Sequence, residues 1–151
     1  MDVIGRGIIA GFLATLLLSG VFDPVATVAR TADVLPPMFG WLLHLLVGSL
    51  IWGVAFALVH PLLRGPFWLR GVLFGIGTWL LVMVAVMPLT RGGLFGLALG
   101  VGSPAVMLVI HLVYGALLGA IFGVLQPPSQ NGREHLPIQS GDEESLTPLP
   151  R

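Results

Sequence analysis

Two histidines sit inside runs that otherwise read as lipid-like. His44 lies in FGWLLHLLVGSLIWGVAFALVHP, and His111 lies in VMLVIHLVYGALLGAIFGVL. An ionisable group inside an apolar run is expensive, so it is a functional candidate by default. Two imidazoles at matched depth in a helical bundle have the right chemistry to ligate a b-type haem axially. Gly48 and Gly115, each four residues after its histidine, would leave room for a flat macrocycle, and Arg30 and Arg91 would pair with its propionates. As a bare metal site the pair is thin, because no Cys, Asp or Glu lies near either histidine. The bland alternative is that each histidine donates to a backbone carbonyl or to a hydroxyl such as Ser19 or Ser49 on a neighbouring helix. A second polar site could form from Ser19 and Asp23 at the end of the first apolar run, although Asp23 before Pro24 reads first as a helix cap. His60, at a run end before Pro61, should face headgroups.

Other chemistry has little to build on. The chain lacks cysteine, which excludes disulfides, thiolate nucleophiles and Cys-ligated metals or clusters. No Gly-x-Ser-x-Gly, no His-Glu-x-x-His and no paired carboxylates within the apolar runs occur. A Ser–His dyad between helices has no motif behind it. The glycine-rich stretch 90–102, TRGGLFGLALGVG, lacks the Gly-Lys-Ser/Thr of a phosphate loop and should fold back against the bundle. The formal net charge is zero, and nothing points to nucleic acid.

The elements that must carry the histidines follow from composition. Of 151 residues, 56% are hydrophobic and 9% charged, against about 25% charged in soluble domains. Four runs have the roughly 20 apolar residues needed to cross a bilayer, at about 4–22, 39–60, 68–88 and 104–125. In hydrocarbon each must be a helix, because its backbone has no water to bond. The expected fold is all-α: a polytopic four-helix membrane domain over residues 1–128 and a disordered Pro-, Ser- and acid-rich tail over 129–151. Asp23-Pro24 and Ser103-Pro104 read as cap-plus-proline starts, the first opening a short interfacial helix over 25–32. Arg6, Arg64, Arg70 and Arg133 fall on one side and Arg30 and Arg91 on the other, which places both termini in the cytoplasm.

The runs also echo one another. A shift of 64 lays Arg6-Gly7 on Arg70-Gly71 and Gly11 on Gly75. A shift of 67 lays His44 on His111, Gly48 on Gly115 and Pro61 on Pro128. Two tandem two-helix repeats, related by a pseudo-two-fold axis along the membrane normal, would follow. Both histidines would then lie one to two turns below the outer surface. Gly7, Gly11, Gly71, Gly75, Gly115, Gly119 and Gly123 form small-xxx-small faces for close helix packing.

The runs Gly7-x3-Gly11-Phe-Leu-Ala-Thr15-x3-Ser19, Trp41-Leu-Leu-His44-x3-Gly48-x3-Trp52-Gly53, Leu69-Arg70-Gly71-x3-Gly75, Met87-Pro88 and His111-x3-Gly115-x3-Gly119 resemble a bacterial family of small four-span membrane proteins. That family is known only as a domain of unknown function. The resemblance covers about residues 5–125 and implies a bacterial cytoplasmic-membrane protein, with no catalytic residues to carry over. The reading these observations favour is a non-enzymatic structural or accessory membrane subunit without a cofactor, surrounded by lipid and assembling with itself or a larger membrane complex. The alternatives are a haem b electron carrier on His44 and His111, and a small oligomeric transporter or channel. A continuous polar groove through Thr15, Ser19, Asp23 and His44 would mark the transporter.

Overall fold

Apolar runs with a glycine at every fourth position can form helices whose backbones nearly touch, and that is the fold. The structure, a computed structural model, describes residues 1–21, 37–89 and 92–127. Among them there is no strand, and four helices are long and apolar enough to cross a membrane: Val3–Gly20, Trp41–Leu62, Phe67–Leu89 and Ser103–Val124. The proposed interfacial helix over 25–32, Asp23, Arg30, Arg91 and the tail lie outside the described residues.

The first helix, α1 (Val3–Val21), begins where Asp2 accepts the Gly5 amide at 2.8 Å through its carboxylate. This is an N-cap, and it satisfies one of the free amides of the first turn. The second helix is composite. α2 (Pro37–Leu46) passes into a π-helical segment, Val47–Trp52, and then into α3 (Gly53–Val59). The Gly53 amide donates to the Gly48 carbonyl, the five-residue spacing of a π turn. Nothing in the apolar periodicity announced this insertion. A 3-10 turn, His60–Leu62, ends the rod at Pro61, as the proline required.

The third helix repeats the device. α4 (Phe67–Leu81) runs into a π segment, Val82–Val86, and a 3-10 turn, Met87–Leu89. Leu94–Leu99 then folds back as irregular 3-10 structure, bringing buried Gly96 beside Met87 and Ser103. Gly100, at φ 124°, turns the chain towards α5 (Ser103–Val124). Ser103 does not cap α5 as expected. It is itself the first helical residue, with Pro104 beside it and no side-chain cap bond. Proline suits that first turn because the missing N–H would be unpaired there anyway.

Packing pairs the first helix with the second and the third with the fourth, and α1 also lies against α5. Glycines set the distances. A Cβ on Gly71 would strike the Gly115 carbonyl, and one on Gly115 would strike that of Gly71. Gly7 and Gly53 stand in the same reciprocal relation, and Gly11 faces the Gly48 carbonyl. The two hairpins differ in register: Gly75, the counterpart of Gly11 in the sequence echo, meets the His111 carbonyl rather than that of Gly115. The second and third helices meet through rings instead. Phe74 packs edge-on against Trp52 at 6.3 Å and against Phe56 at 5.4 Å. Each such pair adds about 0.5–1.5 kcal/mol beyond the area it buries.

Candidate functional site

His44 is carried by α2 and His111 by α5, and both line one small cavity inside the bundle. Its volume is about 90 Å³. Thr15 from α1, Thr78 from α4 and Tyr114 from α5 complete its polar wall, and Trp52 and Leu18 its apolar one. The sequence alone could not say whether the histidines faced inward. They do, and towards the same space.

Each polar group around the cavity is oriented by a backbone carbonyl, with His44 the exception. Thr15 Oγ1 donates to the Gly11 carbonyl at 2.7 Å, and Thr78 Oγ1 to that of Gly75 at 3.0 Å. The Tyr114 hydroxyl reaches across the bundle and donates to the Gly48 carbonyl at 2.7 Å. His111 Nδ1 lies 2.7 Å from the Met107 carbonyl one turn back on its own helix. A carbonyl only accepts, so the neutral ring carries its proton on Nδ1 and leaves Nε2 as a lone pair. His44 forms no hydrogen bond among the described residues.

Several sequence expectations change here. Neither serine partners a histidine: Ser49 donates to the Leu45 carbonyl at 2.6 Å, and Ser19 Oγ is buried without a partner. A helical serine reaches its own i−4 carbonyl more easily than another helix. Gly48 does not open space for a macrocycle, because the Thr15 side chain fills the place of its Cβ, and Gly115 is closed by the Gly71 backbone. A cavity of about 90 Å³ also falls well short of the ~300–1,000 Å³ of ligand and cofactor pockets. Haem does not fit these residues as they stand. Ser19 is not among the residues lining the cavity, so the described part of the Thr15–Ser19–Asp23–His44 series forms no continuous groove.

His60 sits half-buried at the end of the second helix. Its ring packs on Phe122 at 4.7 Å, Phe56 at 5.9 Å and Phe67 at 6.0 Å, and Nδ1 meets the Ala57 carbonyl at 2.9 Å. The Arg70 guanidinium lies 5.0 Å from the Phe67 ring, a cation–π contact at the edge of this cluster. With Nδ1 bonded locally, the half-buried imidazole packs as a ring against its aromatic neighbours. No three His, Cys, Asp or Glu residues come together to hold a metal among the described residues.

Sequence reasoning passed over Tyr114, Thr78 and Trp52 as cavity residues. Tyr114 had a signal. It is the single tyrosine of the chain, and it stands three residues after His111, hence on the same helix face.

Among the described residues these features define an all-helical bundle with four helices of membrane-crossing length and apolarity, closed by glycine contacts around a small cavity that two histidines line. The chain belongs to a family of unknown function, DUF6789, whose model matches residues 1–132. No curated protein and no solved structure matches it.

Proposed function

We propose that this is a multi-pass protein of the bacterial cytoplasmic membrane, with both termini inside, acting as a non-enzymatic structural or accessory subunit. The observation that carries the reading is where the interior hydroxyls go. Thr15, Ser49, Thr78 and Tyr114 all donate to backbone carbonyls rather than to an imidazole. An activated nucleophile needs a base within hydrogen-bond reach, and here three hydroxyl protons go to carbonyls of their own helix and that of Tyr114 to the second helix. The outward faces support the membrane part. Ile9, Phe12 and Leu16 on α1, and Leu42, Leu46 and Leu50 along the second helix, are exposed at helical spacing. A water-soluble monomer rarely leaves so much apolar surface uncovered.

The test uses the absence of native cysteine. Leu62→Cys and Val101→Cys, at opposite ends of the bundle and 81% and 92% exposed, should react with a membrane-impermeant maleimide from opposite sides of sealed vesicles. Labelling of both from one side would overturn the four-span arrangement. Blue-native electrophoresis of mildly solubilised membranes should show a species larger than the 16.0 kDa chain with its detergent. A strictly monomeric protein would count against the subunit role.

A second reading rests on the shared cavity. The His111 Nε2 lone pair, His44, which has no hydrogen bond among the described residues, and the threonine oxygens offer acceptors to a small polar guest. At about 30 Å³ per water, the space of about 90 Å³ would take two or three waters or one comparably small ligand. This would make the histidine pair a hydrated site within the membrane, suited to proton exchange.

A further inference from the structure

The second and third helices enclose an apolar groove of about 310 Å³ that the packing leaves open. Trp52, Val59 and Leu63 form one wall, and Leu73, Gly77 and Leu81 the other. A Cβ on Gly77 would touch nothing within 4 Å, so the notch there is not needed for helix contact. We propose that this groove holds one acyl chain of an anionic phospholipid, whose phosphate sits against Arg64 and Arg70. The inference rests on the membrane reading above.

Dimensions argue for a single chain. From Trp52 to Leu63 is eleven residues, about 16 Å at 1.5 Å per residue. Half of a ~30 Å hydrocarbon core is about 15 Å, so the groove runs the depth of one leaflet. Spread over that length, 310 Å³ gives a cross-section of about 20 Å², the width of one hydrocarbon chain at carbon contact distances of ~4 Å. A partner helix, ~10 Å across, needs about four times that section.

Charge argues for the headgroup. The groove ends at Leu63, and exposed Arg64 follows it directly. Arg70 lies three residues before Leu73 at the same end, its Nε donating to the Gly65 carbonyl at 2.7 Å. Arg6 on α1 adds a third positive charge there, its Nη1 donating to the Met1 carbonyl at 3.3 Å and its Nε buried without a partner. The acid described at this end is Asp2, whose carboxylate accepts the Gly5 amide. Basic side chains at a membrane surface attract anionic lipid, and Arg matches phosphate in a bidentate fork.

The experiment is native mass spectrometry of the full chain in mild detergent, titrated with phosphatidylglycerol or with phosphatidylcholine of the same chains. Wild type should retain one phosphatidylglycerol per chain and prefer it several-fold. Gly77→Leu and Leu81→Trp, which fill the groove at the middle and at one end of the same wall, should each cut retention of both lipids about tenfold with helicity by circular dichroism unchanged. Arg64→Gln with Arg70→Gln should abolish the preference and leave phosphatidylcholine retention as it was. Equal retention in the filled variants, or an intact preference without the arginines, would overturn the proposal. So would a dimer that Gly77→Leu dissolves, which would give the groove to a second copy. Carbonate extraction of the wild type checks the membrane reading separately, since release into the wash would reject that reading whatever the lipid data show.

Discussion

The Tyr114 hydroxyl donates at 2.7 Å to the carbonyl of Gly48, a residue 66 positions earlier in the chain. The same carbonyl accepts the Gly53 amide through the π turn. One oxygen therefore ties the last helix to the irregular segment of the second, beside the cavity that His44 and His111 share. π turns inside α-helices occur often at functional sites, and here the turn presents a carbonyl with a spare lone pair.

Tyr114→Phe removes that tie and keeps the ring. Hydrogen bonds between helices in a membrane average about 0.6 kcal/mol and reach about 1.7. The variant should lose an amount in that range, read as a fall of a few degrees in the thermal unfolding midpoint in detergent. An unchanged midpoint would mean the bond contributes nothing net.

Glycine contacts should separate sharply by position. Gly71→Val and Gly115→Val drive a side chain into the facing backbone, and overpacking costs about 1–3 kcal/mol or more. Gly20→Ala meets nothing within 4 Å and should be tolerated. Size-exclusion profiles after purification should show aggregation for the first two and a wild-type peak for the third. Three equal profiles would contradict the close approach of α4 and α5.

His60 makes an opposite pair of outcomes. His60→Phe keeps an aromatic ring among Phe56, Phe67 and Phe122 and should stay within about 1 kcal/mol of wild type, since shape-conserving core swaps are mild. His60→Ala opens a void and should cost about 2–4 kcal/mol. If alanine were as stable as phenylalanine, the ring cluster would not be holding this end of the bundle.

Haem-replete expression should yield protein with a featureless visible spectrum, oxidised or dithionite-reduced, because about 90 Å³ cannot take a macrocycle without parting the helices. A Soret band that vanishes in His44→Ala would show that the helices do part.

Residue type alone determined the helical class. Four apolar runs of about 20 residues have one economical backbone solution in hydrocarbon, and the structure has four such helices in those places. The glycine spacing likewise marked which faces meet, since Gly7, Gly11, Gly71, Gly75, Gly115 and Gly119 all lie against a neighbouring backbone. The histidines were legible as candidates because an imidazole in an apolar run is conspicuous. What they do there was not legible. The direction in which His44 points was decided by how the second helix packs, and the π segment within that helix has no periodic mark in the sequence. The partners of Ser49, Thr15 and Thr78 were decided by i−3 and i−4 carbonyls, whose reach outcompetes a more distant imidazole. The size of the cavity depends on how closely the backbones approach across Gly48 and Gly115, and on Thr15 filling the space beside Gly48. The rings that pack on His60 belong to three phenylalanines on three different helices. Such outcomes are sums over contacts between residues far apart in the chain, and they exist only once the helices have packed.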